Sequence, residues 1–234
     1  SEEEDHQKVL NKFSPKDQEI INMYNQSEGF KVVDAGSQTG QFFEGYFQQY
    51  PDHIGIGYEN DSAFEIAISR KSNVVFGDAG ETGLKSGSVD KYFINLPDPY
   101  EVETAMPHLL KEAQRILKPG GSIFIVLQSP DTKDLFEGVD VDNAGNIIEG
   151  IIEELGFKMQ HAGDSLAIVY PDYPKTGLMK FFEKKAGLNF FEAIKPADAA
   201  MTTDANKGGI DLNPAMMNLQ TQGEASAFQL NPSL

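Results

Sequence analysis

An α/β domain built on a mainly parallel sheet is the fold class that the sequence predicts. Three observations carry that expectation. Short Val-, Ile- and Phe-rich runs alternate with helix-like runs from residue 31 to about residue 155. The early apolar runs close on an acid or a glycine, as strands do when their carboxyl ends face a ligand. Two further runs, F-K-M-Q-H and S-L-A-I-V-Y, face each other across Ala162-Gly163-Asp164 and read as a hairpin.

In chain order, residues 6–26 read as one or two lead-in helices with a break at Ser14-Pro15. K-V-V-D (31–34) is a buried strand. Phe42, Phe43, Tyr46, Phe47 and Tyr50 then recur at helical spacing until Pro51. H-I-G-I-G-Y-E (53–59) is the second strand, and 62–70 is a helix with Asp61 or Ser62 as N-cap. N-V-V-F-G-D (73–78) and V-D-K-Y-F-I-N (89–95) are the third and fourth strands. The stretch 104–117 is amphipathic through Leu109, Leu110, Ala113, Ile116 and Leu117, and Pro119-Gly120-Gly121 stops it before the fifth strand, S-I-F-I-V-L (122–127). A helix over 144–155 closes at Gly156. The expected organisation is a helical lead-in over 1–30, the sheet domain over 31–174, and a helical extension over 175–194 carrying Phe181-Phe182 and Phe190-Phe191. A low-charge tail follows over 195–234, a docking or oligomer-forming segment by composition, with a small hairpin at 219–230.

The chain has 234 residues, a net charge of −17 and no Cys. Thiolate nucleophiles, disulfides and zinc–sulfur sites are thereby excluded. No apolar run approaches the roughly 18 residues of a membrane span, and the charged start S-E-E-E-D-H-Q-K does not resemble a signal peptide. The expectation is a cytoplasmic protein. Its negative charge opposes polyanions, so nucleic acid is an unfavoured partner. His6, His53, His108 and His161 show no metal spacing, and Asp131, Asp134, Asp140 and Asp142 lack the density of a calcium loop, so no metal is expected.

The strand ends carry the chemistry. V-V-D-A-G-S-Q-T-G places Asp34 before Gly36 and Gly40. A carboxylate there repels a pyrophosphate and favours a ligand with a cationic end, while Gly36 lets the backbone pass close to it. Glu59 stands 25 residues after Asp34, where an acid ordinarily accepts from the two ribose hydroxyls. At the third end, Asp78 suits an adenine amino group and the Ala79 N–H suits a ring nitrogen.

The order D-A-G-S-Q-T-G, G-Y-E, G-D-A and L-K-P-G-G resembles the class I S-adenosylmethionine-dependent methyltransferases over roughly residues 30–170. That resemblance implies a Rossmann-like sheet of seven strands ending in an antiparallel hairpin, with helices on both faces. It implies S-adenosylmethionine as cofactor, with Asp34, Gly36, Gly40, Glu59, Asp78 and Ala79 as its binding residues. The chain departs from the pattern at Gln38, where many members carry a third glycine.

After the fourth strand comes N-L-P-D-P-Y, which is similar to the N-F-P-D-P-W stretch of the tRNA guanine-N7 methyltransferases, with Tyr100 in place of Trp. It also resembles the Asn-Pro-Pro-Tyr motif of amino-group methyltransferases. Asn95, Asp98 and Tyr100 are the candidate catalytic residues. Asp98 suits hydrogen bonds from an exocyclic amine or the role of base, with His108 a distant second, and Tyr100 suits stacking on a ring. The next residues include Glu101 and Glu103 where the tRNA enzymes carry basic ones. The expected function is methyl transfer to a small-molecule or protein acceptor, at an aromatic or amino nitrogen. A non-catalytic interaction or oligomerisation module, with Gln38 closing the cofactor site, is the first alternative, and a tRNA guanine-N7 methyltransferase the second.

Overall fold

In the computed structural model, which describes residues 1–163 and 166–197, β1 (Lys31–Ala35) is buried along its whole length, as a strand with neighbours on both edges and helices on both faces must be. β2 (Ile54–Glu59) and β4 (Val89–Asn95) flank it in parallel, and β3 (Val74–Phe76) lies beyond β2. β5 (Leu117–Gln128) pairs in parallel with β4. β7 (Leu188–Ile194) runs antiparallel between β5 and β6 (Lys158–Gly163), giving a seven-stranded sheet of order β3-β2-β1-β4-β5-β7-β6. Connections leave β1 toward one edge and β4 toward the other, so the topological switch point lies between them, where ligands bind in such sheets.

Strand alternation sorts the core into two layers. Val33, Ala35, Ile56, Tyr58, Tyr92, Ile94, Ile123 and Ile125 share one face. They pack with Leu10 of α1 (Glu2–Leu10), Ile21 of α2 (Pro15–Gln26), Met106 and Leu110 of α5 (Val102–Ile116), and Ile148 and Ile152 of α6 (Val141–Glu154). Ser14 caps α2 by accepting from the Asp17 N–H, with Pro15 as the first helical residue, so the expected break falls where the sequence puts it. The other face is aromatic. Val32, Phe93, Phe124 and Phe190 meet Phe42, Phe43 and Tyr46 of α3 (Gln41–Gln49). Leu166 of α7 (Leu166–Val169), Tyr170, Tyr173, and Met179 and Phe182 of α8 (Gly177–Lys185) complete this layer. A 3-10 turn at Ser62–Phe64 and the short α4 (Glu65–Ile68) join β2 to β3.

The antiparallel pair at the sheet end is present, but not with the partners expected. L-A-I-V (166–169) forms the helical turn α7, with Leu166 buried and Ile168 80% exposed. Its strand partner comes instead from Leu188–Ile194, so 175–194 is not a helical extension throughout: α8 takes its first part and β7 its second. A short apolar run does not reveal its own period. The two phenylalanine pairs show the difference. On α8, Phe182 is buried and Phe181 is 47% exposed, whereas Phe190 and Phe191 are both buried because they project to opposite covered faces of the sheet. Most of the 195–234 tail, its 219–230 hairpin reading, and Asp164 and Ser165 lie outside the described residues.

The aromatic layer also holds charge. Lys91 of β4 lies 3.9 Å from Glu192 Oε1 of β7, both side chains nearly fully buried, and Tyr170 Oη donates to Glu192 Oε2 at 2.6 Å. This network ties β4, β7 and the α7 segment across the intervening β5. Removing Glu192 takes a buried carboxylate from both Lys91 and Tyr170. Glu192→Ala is expected to lower the unfolding free energy by about 3–5 kcal/mol, read from urea denaturation followed by far-UV circular dichroism.

Candidate functional site

At the end of β1 the chain turns sharply. The N–H groups of Gly36 and Ser37 both donate to the Tyr58 carbonyl at 2.9 Å, folding the loop back onto β2. Gly36 (φ 75°), Gln38 (φ 50°) and Gly40 (φ 82°) all have left-handed backbones. A Cβ at Gly36 would meet nothing within 4 Å, so the loop presents bare backbone to open space there. Gly57, paired with Asp34 across β1 and β2, leaves the seat that Ser37 occupies: a Cβ on Gly57 would come within 2.8 Å of Ser37 Oγ.

Register aims Asp34 into the aromatic layer, in one row with Phe93 and Phe124. Its side chain is 1% exposed, and neither carboxylate oxygen has a hydrogen-bond partner. Ser37 Oγ and Asn95 Nδ2 are buried and unpartnered as well. Desolvation lifts the Asp34 pKa from 3.8 to about 7; the nearby Asn95 amide, not aligned closely enough to form a hydrogen bond, pulls it down, and the Glu59 charge pushes it further up. Tyr173 Oη donates to Asn95 Oδ1, which turns the amide nitrogen of Asn95 away from Tyr173. Asp34, Gly36, Gln38, Phe42 and Asn95 line a cavity of about 20 Å³, together with Leu96 (φ 51°), Thr176 and Leu178. That is room for one group of about the size of a water molecule.

The neighbouring strand ends are arranged differently. Glu59 is buried and accepts from the Gln38 N–H at 2.8 Å through Oε1, and from the Asn60 and Asp61 N–H groups at 3.0 and 2.9 Å through Oε2. Glu59 thus holds the Gly36–Gly40 loop in place and keeps one lone pair of Oε1 free. Gln38 is exposed and stands at the rim of the cavity. Gly40 is the N-cap residue of α3. Asp78 is half exposed, accepting from the Gly80 N–H at 2.7 Å and lying 2.8 Å from His108 Nε2, while the adjoining Ala79 carbonyl accepts from Tyr92 Oη. Of the N-L-P-D-P-Y residues only Asn95 and Leu96 reach the cavity. Asp98 is exposed, with Oδ1 accepting from the Tyr100 N–H at 2.9 Å. Tyr100 is 58% exposed, packs edge-on to Phe136 and donates to the Glu137 carbonyl. Among the described residues no group of three His, Asp or Glu side chains is spaced to hold a metal, and no helix is long and apolar enough to cross a membrane.

Six residues of the site were missed by sequence reasoning: Ser37, Phe42, Leu96, Tyr173, Thr176 and Leu178. The last three belong to P-D-Y-P-K-T-G-L (171–178), the connection between β6 and β7. Its two prolines around a tyrosine were the available signal. The mistaken hairpin concealed that this connection folds back over the end of β1.

No family model matches the chain. A malonyl-[acyl-carrier protein] O-methyltransferase of Coxiella burnetii is 30% identical over 103 residues, which are 43% of this chain and 34% of that protein. A tRNA (guanine-N(7)-)-methyltransferase of Limosilactobacillus fermentum is 28% identical over 138 residues, 51% of this chain and 62% of that one. The chain thus spans less than two thirds of either relative. Among solved structures, the 16S rRNA methyltransferase KamB aligns with a TM-score of 0.53 at 15% identity, covering 79% of this chain and 95% of that chain. A chain from the Haloferax volcanii complex of the Trm112 methyltransferase activator with a putative methyltransferase aligns at 0.52 and 17% identity, covering 77% and 88%. A Haemonchus contortus phosphoethanolamine N-methyltransferase in complex with S-adenosyl-L-methionine aligns at 0.51 and 17% identity, covering 78% and 52%. The fold is that of the class I S-adenosylmethionine-dependent methyltransferases.

The Asp34 geometry makes stability depend on pH in a defined direction. Its folded pKa exceeds its unfolded one, so the folded state binds the proton more tightly, and stability falls as pH rises from about 4 to about 7. Asp34→Asn, which cannot ionise, is expected to lack this fall and to become the more stable protein above pH 7, by on the order of 4 kcal/mol. Urea midpoints of both proteins measured from pH 4 to pH 8 test it.

Proposed function

We propose that the chain is an S-adenosylmethionine-dependent methyltransferase in which Asp34 receives the cofactor's ammonium group. The observation that carries this reading is the unpartnered carboxylate buried at the switch point. A purely structural domain has no use for a charge that nothing solvates. An ammonium is small enough for the cavity beside it and supplies the missing donors. The reading assigns the bare backbone at Gly36 to the passing ligand, the remaining lone pair of Glu59 Oε1 to a ribose hydroxyl, and Asp78 with Ala79 to the base. Thr176 and Leu178 roof the carboxylate end and must shift for a whole nucleoside to enter.

When bound, the cofactor supplies an already activated methyl group, so the chain has chiefly to orient an acceptor against it. Asn95 stands where the N-L-P-D-P-Y turn meets Asp34, with its orientation held by Tyr173. Prolines 97 and 99 stiffen that turn. Tyr100 offers an exposed ring, and Asp98 a carboxylate on the same surface. Glu101 and Glu103, both exposed, favour a neutral or cationic acceptor, a small molecule or a protein segment bearing an aromatic or amino nitrogen. A nucleic-acid acceptor is the second reading, favoured by the tRNA-modifying relative and the rRNA-modifying fold neighbour. The exposed position of Gln38 weighs against a module whose cofactor cleft is plugged at that residue.

Calorimetric titration with S-adenosylhomocysteine, which keeps the ammonium, is expected to show binding. Asp34→Asn is expected to weaken it at least tenfold, and Glu59→Ala to weaken it strongly by releasing the Gln38 loop and a ribose contact. Because the ammonium requires ionised Asp34, wild-type affinity is expected to fall about tenfold per pH unit below pH 7. Absence of heat at millimolar ligand, or an Asp34→Asn variant with unchanged affinity, contradicts the reading. Retention of tRNA or rRNA fragments on filters, declining steeply with salt, decides for the nucleic-acid acceptor.

A further inference from the structure

A second cavity, of about 190 Å³, opens on the other face of the sheet at the same carboxyl edge. Pro99 of the N-L-P-D-P-Y turn and Pro130 after β5 form two of its walls, and α6 and the start of β7 form the others. Its volume compares with the roughly 150 Å³ cavity that accepts a benzene ring. Asn189, paired with Leu127 across β7 and β5, lines it, and Asn189 Oδ1 is buried without a hydrogen-bond partner. Glu149 lines it too, and among the described residues no Lys, Arg or His does. The lining thus joins apolar surface and the amides of Gln128 and Asn146 to one unmet buried acceptor, Asn189 Oδ1, and the carboxylate of Glu149 opposes an anion.

Gly145 adds a second observation. It sits inside α6, where glycine costs about 1 kcal/mol relative to alanine. No turn or left-handed backbone calls for it, and a Cβ there would meet only the Phe191 ring, at 3.6 Å. Gly145 thus lines the cavity without narrowing it.

We infer that this cavity seats the acceptor: a single six-membered ring carrying an N–H donor, as in an amide, amidine or exocyclic amine, with the donor on Asn189 Oδ1. The role as acceptor seat rests on the methyltransferase reading; the ring-and-donor selectivity does not. The N-L-P-D-P-Y turn connects the two sites, with Asn95 and Leu96 lining the Asp34 cavity and Pro99, four residues beyond Asn95, lining this one.

Ligand-detected NMR with nicotinamide, benzamidine and benzoate tests the inference. Nicotinamide and benzamidine are expected to bind and benzoate not. Gly145→Leu, which places a side chain at a lining position where a Cβ makes only an ordinary contact with Phe191, is expected to weaken both at least tenfold while S-adenosylhomocysteine titrates as in wild type. Asn189→Ala, which enlarges the cavity but removes the acceptor, is expected to weaken nicotinamide at least fivefold and guards against a folding defect in the leucine variant. Benzoate binding as well as nicotinamide, or neither donor-bearing ring binding, or binding untouched by both substitutions, overturns the inference. Amide binding that Gly145→Leu abolishes in a protein that takes no S-adenosylhomocysteine upholds the cavity's selectivity and removes its role as acceptor seat.

Discussion

One carboxylate buried without a hydrogen bond sets the terms for the rest of the molecule. Asp34 is the residue at which β1 stops behaving as a core strand, yet its register keeps it inside the aromatic layer beside Phe93. A well-satisfied core has no such group. Much of the surrounding structure can be read as its frame: Gly57 gives up a side chain so that Ser37 lies alongside, Glu59 clamps the Gln38 backbone, and Tyr173 orients Asn95. Where local rules are broken together at a sheet's switch point, the cost falls at the place where function is expected.

The strand ends were legible in the sequence because they are local. Asp34, Gly36, Glu59 and Asp78 follow apolar runs directly, and the parallel alternation of those runs puts successive ends on one edge. The antiparallel end of the sheet was legible as a feature but not in its membership. L-A-I-V and N-F-F-E-A-I are both short apolar runs, and which becomes the strand depends on a slot between β5 and β6 that no local pattern describes. Tyr173, Thr176 and Leu178 were invisible for the same reason, since their place over Asp34 depends on where α8 packs. Asp98 and Tyr100 stand out in the sequence, but their side chains lie on the surface, Asp98 closing a local turn through the Tyr100 N–H.

Fold and chemistry separate here in the usual way. Neighbours of the same architecture carry names that span rRNA and phosphoethanolamine as substrates, at identities of 15% and 17%. Architecture alone therefore says little about the acceptor, and the discriminating residues lie in connections that vary freely. In this chain those connections are acidic at the N-L-P-D-P-Y turn, aromatic along Tyr100, Phe136, Phe182 and Phe181, and, among the described residues, uncharged apart from Glu149 around the cavity behind Pro99.

The position of β7 has a consequence for how the protein is made. The strand that joins β5 to β6 is the last one among the described residues, so β1 to β5 and β6 all emerge before it, with the edges that it later joins unsatisfied. Open edges of that kind invite pairing with other chains. Only after Ile194 has left the ribosome can both edges close, and the Tyr170–Glu192–Lys91 network forms at the same moment. The nascent chain is thus exposed to misassociation until β7 is made, and a slow or stalled ribosome over residues 164–194 lengthens that exposure.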